Sequence, residues 1–352
     1  MSTVRVGVNG YGVIGKRVAD AIRRQPDMTL AGVADVAADY RTRTAGVLGI
    51  ELYAANRDAL GPMTDAGLAP SGTLDDLLGR VDVIADCTPK RFGADNLARY
   101  RNAGVRSVFQ GGERHELTGH SFVAQANYAT AIGRDSTRVV SCNTTSIVRT
   151  LGALHHEGLL KRARGTLVRR ASDPWEGHLD GIMNTVVPER VIPSHQGPDA
   201  QTVIPDLDLV TIAVKAAHNV SHLHAWCVEL TRGAGREEVL DVFRRTPRVA
   251  MIRMADGLEA LNSTVTLMQD LGRPRGDLWE VALWEDGLAT RNGEAFFTYQ
   301  VFNQAIVIPE TIDAIRALAG NEPDGGRSIR LTDRALGLTS DFFSPSRPEN
   351  AA

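Results

Sequence analysis

VRVGVNGYGVIGKRVADAI, residues 4–22, decides how the first half of this chain folds. Val4 to Asn9 alternates and is rich in β-branched residues, so it reads as a strand. Ile14 to Arg24 has helical spacing, with Val18, Ala21 and Ile22 on one face. Between them stands Gly10-Tyr11-Gly12-Val13-Ile14-Gly15, a G-x-G-x-x-G. Alone that pattern is weak; between a strand and a helix it is a strong sign of dinucleotide binding. Gly10 permits the tight turn, Gly12 lets backbone N–H groups approach a pyrophosphate, and Gly15 lets the helix pack close to its strand. The helix N-terminus adds N–H groups and a positive dipole end.

Asp35 ends the next strand candidate, Met28 to Asp35, 20 residues after Gly15. An acid there can accept hydrogen bonds from an adenosine ribose diol, and a 2′-phosphate would meet like charge. Asp35 therefore favours NAD, while Arg41 and Arg43 close behind it leave NADP open.

Working outward, strand and helix alternate. A helix is expected from about Ala38. Thr73 opens a short helix with Asp76 three residues on, the spacing of a capping box. Val81 to Cys87 is a strand that Thr88-Pro89 stops; Phe92 to Asn102 is helix, with Gly104 closing it; Val105 to Gln110 is strand. This rhythm predicts βαβ units around a parallel sheet. After Ser141 the grammar changes. One long helix is expected from Asn143 to about Leu160, then strands over Gly165–Ala171, Val203–Val214 and Leu223–Thr231, with a helix over Arg236–Arg245. The fold class is thus α/β, an N-terminal dinucleotide-binding domain (1–141) followed by an α+β domain (142–302) with a mostly antiparallel sheet. A helical segment (303–338), with Pro309 to Ala317 as helix, packs back on the first domain, and 339–352, rich in Pro, Ser and Asn, reads as a disordered tail.

Composition narrows the function classes. A net charge of -3 over 352 residues predicts no pull toward nucleic acid or anionic membrane, and no apolar run is long enough for a bilayer. No signal peptide is expected ahead of the first strand. Cys87, Cys142 and Cys227 make no disulfide framework, which fits a reducing cytoplasm.

Cys142, in VVSCNTTSIVRTL (139–151), sits where a strand ends and a helix begins. The positive end of that helix would lower its thiol pKa from about 8.5 and make it a nucleophile. Ser141, Asn143, Thr144 and Thr145 surround it with hydroxyl and amide groups able to hold an oxyanion or a phosphate. The alternative is a packed thiol, the reading that suits Cys87 in VIADCTP and Cys227 in HAWCVEL. His218, His222 and His224 form H-x3-H-x-H; with no Cys or carboxylate at ligand spacing, no metal is expected. His222 reads as a base or as a hydrogen-bonded core histidine. His155-His156-Glu157 cannot share a helix face and reads as packing or solvated. Of Arg169 and Arg170, one faces water and the other can grip a phosphate. Gln110-Gly111-Gly112-Glu113 is either a turn or a loop facing the cofactor.

NGYGVIGKRVADAI, DCTP, FQGGERHE, VVSCNTTSIVRTL, RRASDP, PSHQGPDAQTVIPDL and QAIVIPETIDAIRAL, in this order, resemble the archaeal-type (type II) glyceraldehyde-3-phosphate dehydrogenase family from about Val4 to Leu318. The resemblance implies a Rossmann domain, a catalytic domain and a homotetramer. It implies oxidation of glyceraldehyde 3-phosphate with NAD(P) and inorganic phosphate to 1,3-bisphosphoglycerate. By position it makes Cys142 the attacking thiolate and His222 the catalytic base, with Arg170 and His195 at anion-binding positions. Thr144 and Thr145 would help hold phosphate beside the Cys, and Thr88, Pro89, Gly111 and Asn303 join the glycine loop around the cofactor. The chain departs from the family pattern at Ser146 (usually Gly), Gln196 (usually His), KAAHNVS (215–221), Asp35 (a Lys in many relatives) and Asn303-Gln304-Ala305. Three other readings remain. One is a dehydrogenase of another aldehyde or semialdehyde; one is a sugar dehydrogenase using Lys90; one is a non-catalytic NAD-binding regulator.

Overall fold

A computed structural model of the chain describes residues 3–110, 112–172 and 185–343. It divides into two compact units. The first comprises Met1–Val148, Pro198–Pro205 and Gln304–Leu336; the second comprises Arg149–Gly197, Asp206–Asn303 and the chain from Gly337 on.

Seven parallel strands build the first unit: β1 Val4–Asn9, β2 Met28–Asp35, β3 Leu52–Ala54, β4 Val83–Asp86, β5 Arg106–Phe109, β6 Ser121–Phe122 and β7 Ser136–Val139. Their order is β3-β2-β1-β4-β5-β7-β6, so the chain reverses direction across the sheet between β1 and β4. In such sheets that switch point is where a ligand meets the strands' carboxyl ends. β1 is followed by the helix Val13–Arg24, whose Val18, Ala19, Ala21 and Ile22 are buried. The helix expected from Ala38 begins at Tyr40, because Asp39 caps it by accepting the N–H of Arg41 at 2.9 Å. Thr73 donates its N–H to Asp76 at 2.7 Å, as the capping-box spacing requires. Gly104, at φ +69°, follows the helix Gly93–Asn102.

The helix Val307–Ala319 belongs to this unit and is buried along its length from Val307 to Leu318. Its Arg316 is wholly buried and acts as a tie. It donates to both oxygens of Asp27 at 2.6 and 2.9 Å, to Gln25 Oε1 at 2.7 Å and to Thr332 Oγ1 at 2.6 Å. Thr332 lies on the helix Gly325–Leu336, and Gln25 and Asp27 on the turn into β2, so one guanidinium joins three segments.

The second unit holds an eight-stranded mixed sheet: β8 Leu160–Arg170, β9 Val186–Pro188, β10 Leu209–Ala216, β11 His222–Leu230, β12 Val249–Ile252, β13 Val281–Trp284, β14 Ala289–Arg291 and β15 Glu294–Val301. Among the described residues five pairings are antiparallel, while β8–β10 and β12–β13 are parallel. The helix Arg236–Arg245 lies between β11 and β12.

Two expectations need correction. The helix that starts at Cys142 ends at His156, not near Leu160. Leu159 and Leu160 continue the apolar spacing, but Gly158 takes φ +67° and the N–H of Leu159 returns to Leu154, which closes the helix. Leu160 then opens β8. Val203 is not strand either: it and Ile204 donate their N–H groups to the Ala200 carbonyl in a turn after the helix Gln196–Gln201, and β10 starts at Leu209. Of the expected tail, Thr339 donates its N–H to Glu280 at 3.0 Å and Ser340 accepts from Met251, while 344–352 lie outside the described residues.

Replacing Arg316 by Met should lower stability by about 3–5 kcal/mol, since Asp27 and Asp313 would keep buried charge without its partner. The check is chemical denaturation; a loss below about 1 kcal/mol would mean the tie is dispensable.

Candidate functional site

The glycine loop fits a dinucleotide on its own geometry. Gly10 has φ +91°, and a Cβ on it would lie 2.8 Å from the Cys87 backbone. A Cβ on Gly15 would lie 1.8 Å from the Gly10 carbonyl oxygen, so this approach of helix to loop tolerates only glycine. A Cβ on Gly12 would meet nothing within 4 Å, which leaves open space over the loop for a ligand. Gly12, at the N-cap of the helix Val13–Arg24, brings no side chain of its own to the helix start. Val13 and Ile14 are half-buried in its first turn.

Around the loop, Asp35 accepts the Tyr11 N–H at 2.6 Å and the Ala37 N–H at 2.8 Å, one on each oxygen. Each oxygen keeps a further lone pair. Arg41 clamps Asp39, with its Nη2 2.6 Å from Oδ2, and Arg43 donates to the Ala66 carbonyl. Lys16 lies over the Tyr11 and Tyr40 rings and donates to Thr44 at 2.9 Å. At the end of β4, buried Asp86 accepts from Thr88 N–H and Oγ1, from Asn96 and from Tyr100. That acid went unread in the sequence, where VIADCTP was read as a strand and its stop. Pro89 is exposed, Gln110 donates to Thr311 at 3.1 Å, and Gly111 lies outside the described residues.

The second group, still in the first unit, forms where β7 gives way to the helix Cys142–His156. Cys142 is half-buried and not disulfide-bonded. Thr144 Oγ1 lies 2.8 Å from Ser141 Oγ and 2.7 Å from Asp199 Oδ2. Arg138 Nη2 holds the other oxygen of Asp199. Asn143, Thr144 and Thr145 are buried, and the Thr145 hydroxyl has no hydrogen-bond partner among the described residues. Ser146, in place of the family's usual glycine, is absorbed locally: its hydroxyl donates to the Asn143 carbonyl at 2.7 Å. The other two thiols differ. Burial, then nearby Asp86, pushes the Cys87 thiol pKa well up. Cys227 is not core as expected; it sits on the more exposed face of β11 and donates to Glu294 at 3.3 Å. Burial and that carboxylate push its pKa up.

The third group lies in the second unit. Alternation along β11 buries His222, His224 and Trp226 on one face. His222 Nδ1 accepts the Arg170 backbone N–H at 3.1 Å. Burial, then Arg170, His224, Arg169 and His218, pushes its pKa well below the usual histidine value. A neutral ring whose Nδ1 accepts must carry its proton on Nε2. His224 pairs with the Tyr299 hydroxyl at 3.0 Å and is pushed down to about 3 by burial and Arg169. His218 is also lowered by burial and Arg170. Arg169 is ion-paired to Glu189, and Arg170 is half-buried. His195 is exposed, 3.7 Å from Glu189. Asn303 follows β15 in this unit and is half-buried.

Residues 141–272 match the C-terminal domain of glyceraldehyde 3-phosphate dehydrogenase. Over 96% of its length the chain is 42% identical to the whole glyceraldehyde-3-phosphate dehydrogenase of Methanococcoides burtonii. It is also 42% identical to the enzymes of that name from Thermococcus kodakarensis (95% of this chain, 99% of the relative) and Metallosphaera sedula (97% and 99%). The chain belongs to the glyceraldehyde-3-phosphate dehydrogenase family.

Because His224 is buried neutral, the unfolded chain binds protons first on acidification, so stability falls as pH drops below about 6.5. With its folded value at about 3, this residue alone removes about 2 kcal/mol between pH 7 and pH 5. His224→Asn, which cannot titrate, should flatten the acid slope of the melting temperature; an unchanged slope would locate the titration elsewhere.

Proposed function

We propose that this member of the glyceraldehyde-3-phosphate dehydrogenase family oxidises glyceraldehyde 3-phosphate with inorganic phosphate to 1,3-bisphosphoglycerate, or runs the reverse reaction, through a thioester on Cys142. The observation that carries this reading is a Cys at a strand-to-helix junction, ringed by hydroxyls, inside the stretch that matches the family's C-terminal domain. Bound dinucleotide supplies the hydride acceptor. Gly10 to Gly15 would hold its pyrophosphate and Asp35 its ribose; Thr88, Pro89, Gly111 and Asn303 would complete its surroundings.

In the chemistry assigned to the chain, the Cys142 thiolate forms a bond to the aldehyde carbon and leaves an electron pair on the oxygen. His222 holds a proton at Nε2 and donates it as a hydrogen bond to that oxygen. The sequence-based role of general base needs an open lone pair, and the Nδ1 pair is spent on the Arg170 N–H. Departure of the hydride restores the carbonyl as a thioester. A phosphate oxygen then attacks the thioester carbon and the sulfur leaves as thiolate. Arg170 and His195 would take the substrate's phosphate, and the start of the helix Cys142–His156 the inorganic one. Reduction of NAD or NADP with this aldehyde should require inorganic phosphate. Cys142→Ser should abolish turnover while dinucleotide binding persists; near wild-type turnover in that variant would end the proposal.

We read the dinucleotide as NAD. Support comes from the Asp35 lone pairs left over the loop and from Arg41 and Arg43, both engaged by other groups. Asp35→Ser should raise the NADP/NAD ratio of kcat/KM at least about tenfold, the equivalent of about 1.4 kcal/mol. A ratio that stays put would remove Asp35 from cofactor choice. A homotetramer in the cytoplasm completes the reading. The oligomer is supported by exposed apolar Val186, Val191, Ile192, Val210 and Ile212 in the second unit, side chains that a second copy could cover.

A further inference from the structure

Asp199 had no role in the reading of PSHQGPDAQ, yet it sits at the centre of the hydroxyls beside Cys142. Arg138, whose side chain is only 3% exposed, holds Asp199 Oδ1 and is itself fixed by Ser121 Oγ at 3.0 Å and the Glu113 carbonyl at 3.1 Å. The carboxylate so held offers only lone pairs. At 2.7 Å, Thr144 must therefore be the donor to Oδ2, and its single proton is spent. Ser141, 2.8 Å from Thr144 Oγ1, must then donate to it, and its Oγ is left to accept the Thr144 N–H at 3.3 Å. Both hydroxyl protons run inward toward Asp199. Thr145 differs: its hydroxyl is buried and has no partner among the described residues, so its proton is uncommitted.

We infer that Asp199, clamped by Arg138, is a positioning residue that sets the polarity of the Ser141–Thr144 hydroxyl pair and withholds its protons from inorganic phosphate, leaving Thr145 as the hydroxyl donor at this helix start. This rests on the phosphate-dependent reading above and reassigns Thr144 within it. A phosphate oxygen is an acceptor, and near Ser141 and Thr144 it would face lone pairs and the carboxylate's charge. Asp199 thus keeps anion affinity at the nucleophile's helix moderate, so that phosphate arrives without lodging there.

The isosteric variant Asp199→Asn inverts the chain. Arg138 requires an acceptor, so the amide oxygen turns to it and the amide N–H₂ turns to Thr144. The Thr144 proton is then released. The phosphate KM should fall about tenfold, the scale of one hydrogen bond to a charged group, while the aldehyde KM stays within about twofold. Phosphate protection of Cys142 from alkylation, measured without dinucleotide, should tighten in parallel. A purely structural role would lower the melting temperature and leave both readouts in place; an unchanged or raised phosphate KM overturns the inference. Should Asp199→Asn not fold, Thr145→Val must raise the phosphate KM more than Thr144→Val does, and the reverse order overturns it equally. A wild-type enzyme indifferent to phosphate would instead sink the phosphorylating reading itself, and this inference with it.

Discussion

A helix that starts abruptly leaves its first N–H groups without helical partners, and something must answer them. This constraint acts twice in one parallel sheet, after β1 and after β7, at the carboxyl ends of the strands. After β1 the answer is to bring no side chain at all: Gly10, Gly12 and Gly15 strip the junction to backbone, so a phosphate can approach where a Cβ would collide or intrude. After β7 the answer is side-chain chemistry: a thiol and three hydroxyls crowd the first turn, with Asp199 and Arg138 behind them. On the proposed reading, the same electrostatics serves an inert ligand contact in one place and a reacting sulfur in the other.

Buried charge in this protein is arranged to specify geometry. A buried ion pair recovers little net stability, because desolvation cancels most of its attraction, but breaking one side of it is costly. Arg316 on Asp27 and Arg138 on Asp199 are both of this kind, and each joins segments far apart in sequence. The short excursion Pro198–Pro205 enters the first unit through Asp199, so the residue that anchors the excursion also orients the hydroxyls beside Cys142. In the second unit the logic is reversed. His222 and His224 share a buried strand face, and nearby arginines add to burial in keeping them neutral. A neutral ring has distinct nitrogens, and the backbone of Arg170 chooses between them.

Local signals were legible wherever one residue type does one job. β1, β2 and the helix Arg236–Arg245 fall where spacing puts them, and Thr73 with Asp76 opens its helix as the motif demands. Signals failed where two rules competed. Leu159 and Leu160 extend the helical pattern, and only the left-handed turn at Gly158 shows that the chain has already left the helix. The apolar run at Val203 looks like strand, yet it serves a turn because its N–H groups go back to Ala200. Strands of two or three residues such as β3 and β6 are too short for any period to emerge. At the site, the residue types could be picked out but not the direction of their hydrogen bonds. Nothing in PSHQGPDAQ says that its Asp will meet Thr144, because that contact spans 55 residues.

The three thiols show how far context, rather than residue type, assigns chemistry. Cys87 follows a strand at a carboxyl end, as Cys142 nearly does, but Asp86 beside it and burial around it disfavour the anion. Cys227 reaches the more exposed face of its sheet, yet its hydrogen runs to Glu294, and a carboxylate partner again penalises a thiolate. Both of these thiols thus have an acid for a neighbour. At the start of the helix that opens with Cys142 the acid is Asp199, which accepts the Thr144 hydroxyl and is bound by the Arg138 guanidinium. On the proposed reading, a carboxylate in direct contact would suppress the nucleophile; bound through Thr144, it orients the hydroxyls and leaves the thiolate to the helix dipole.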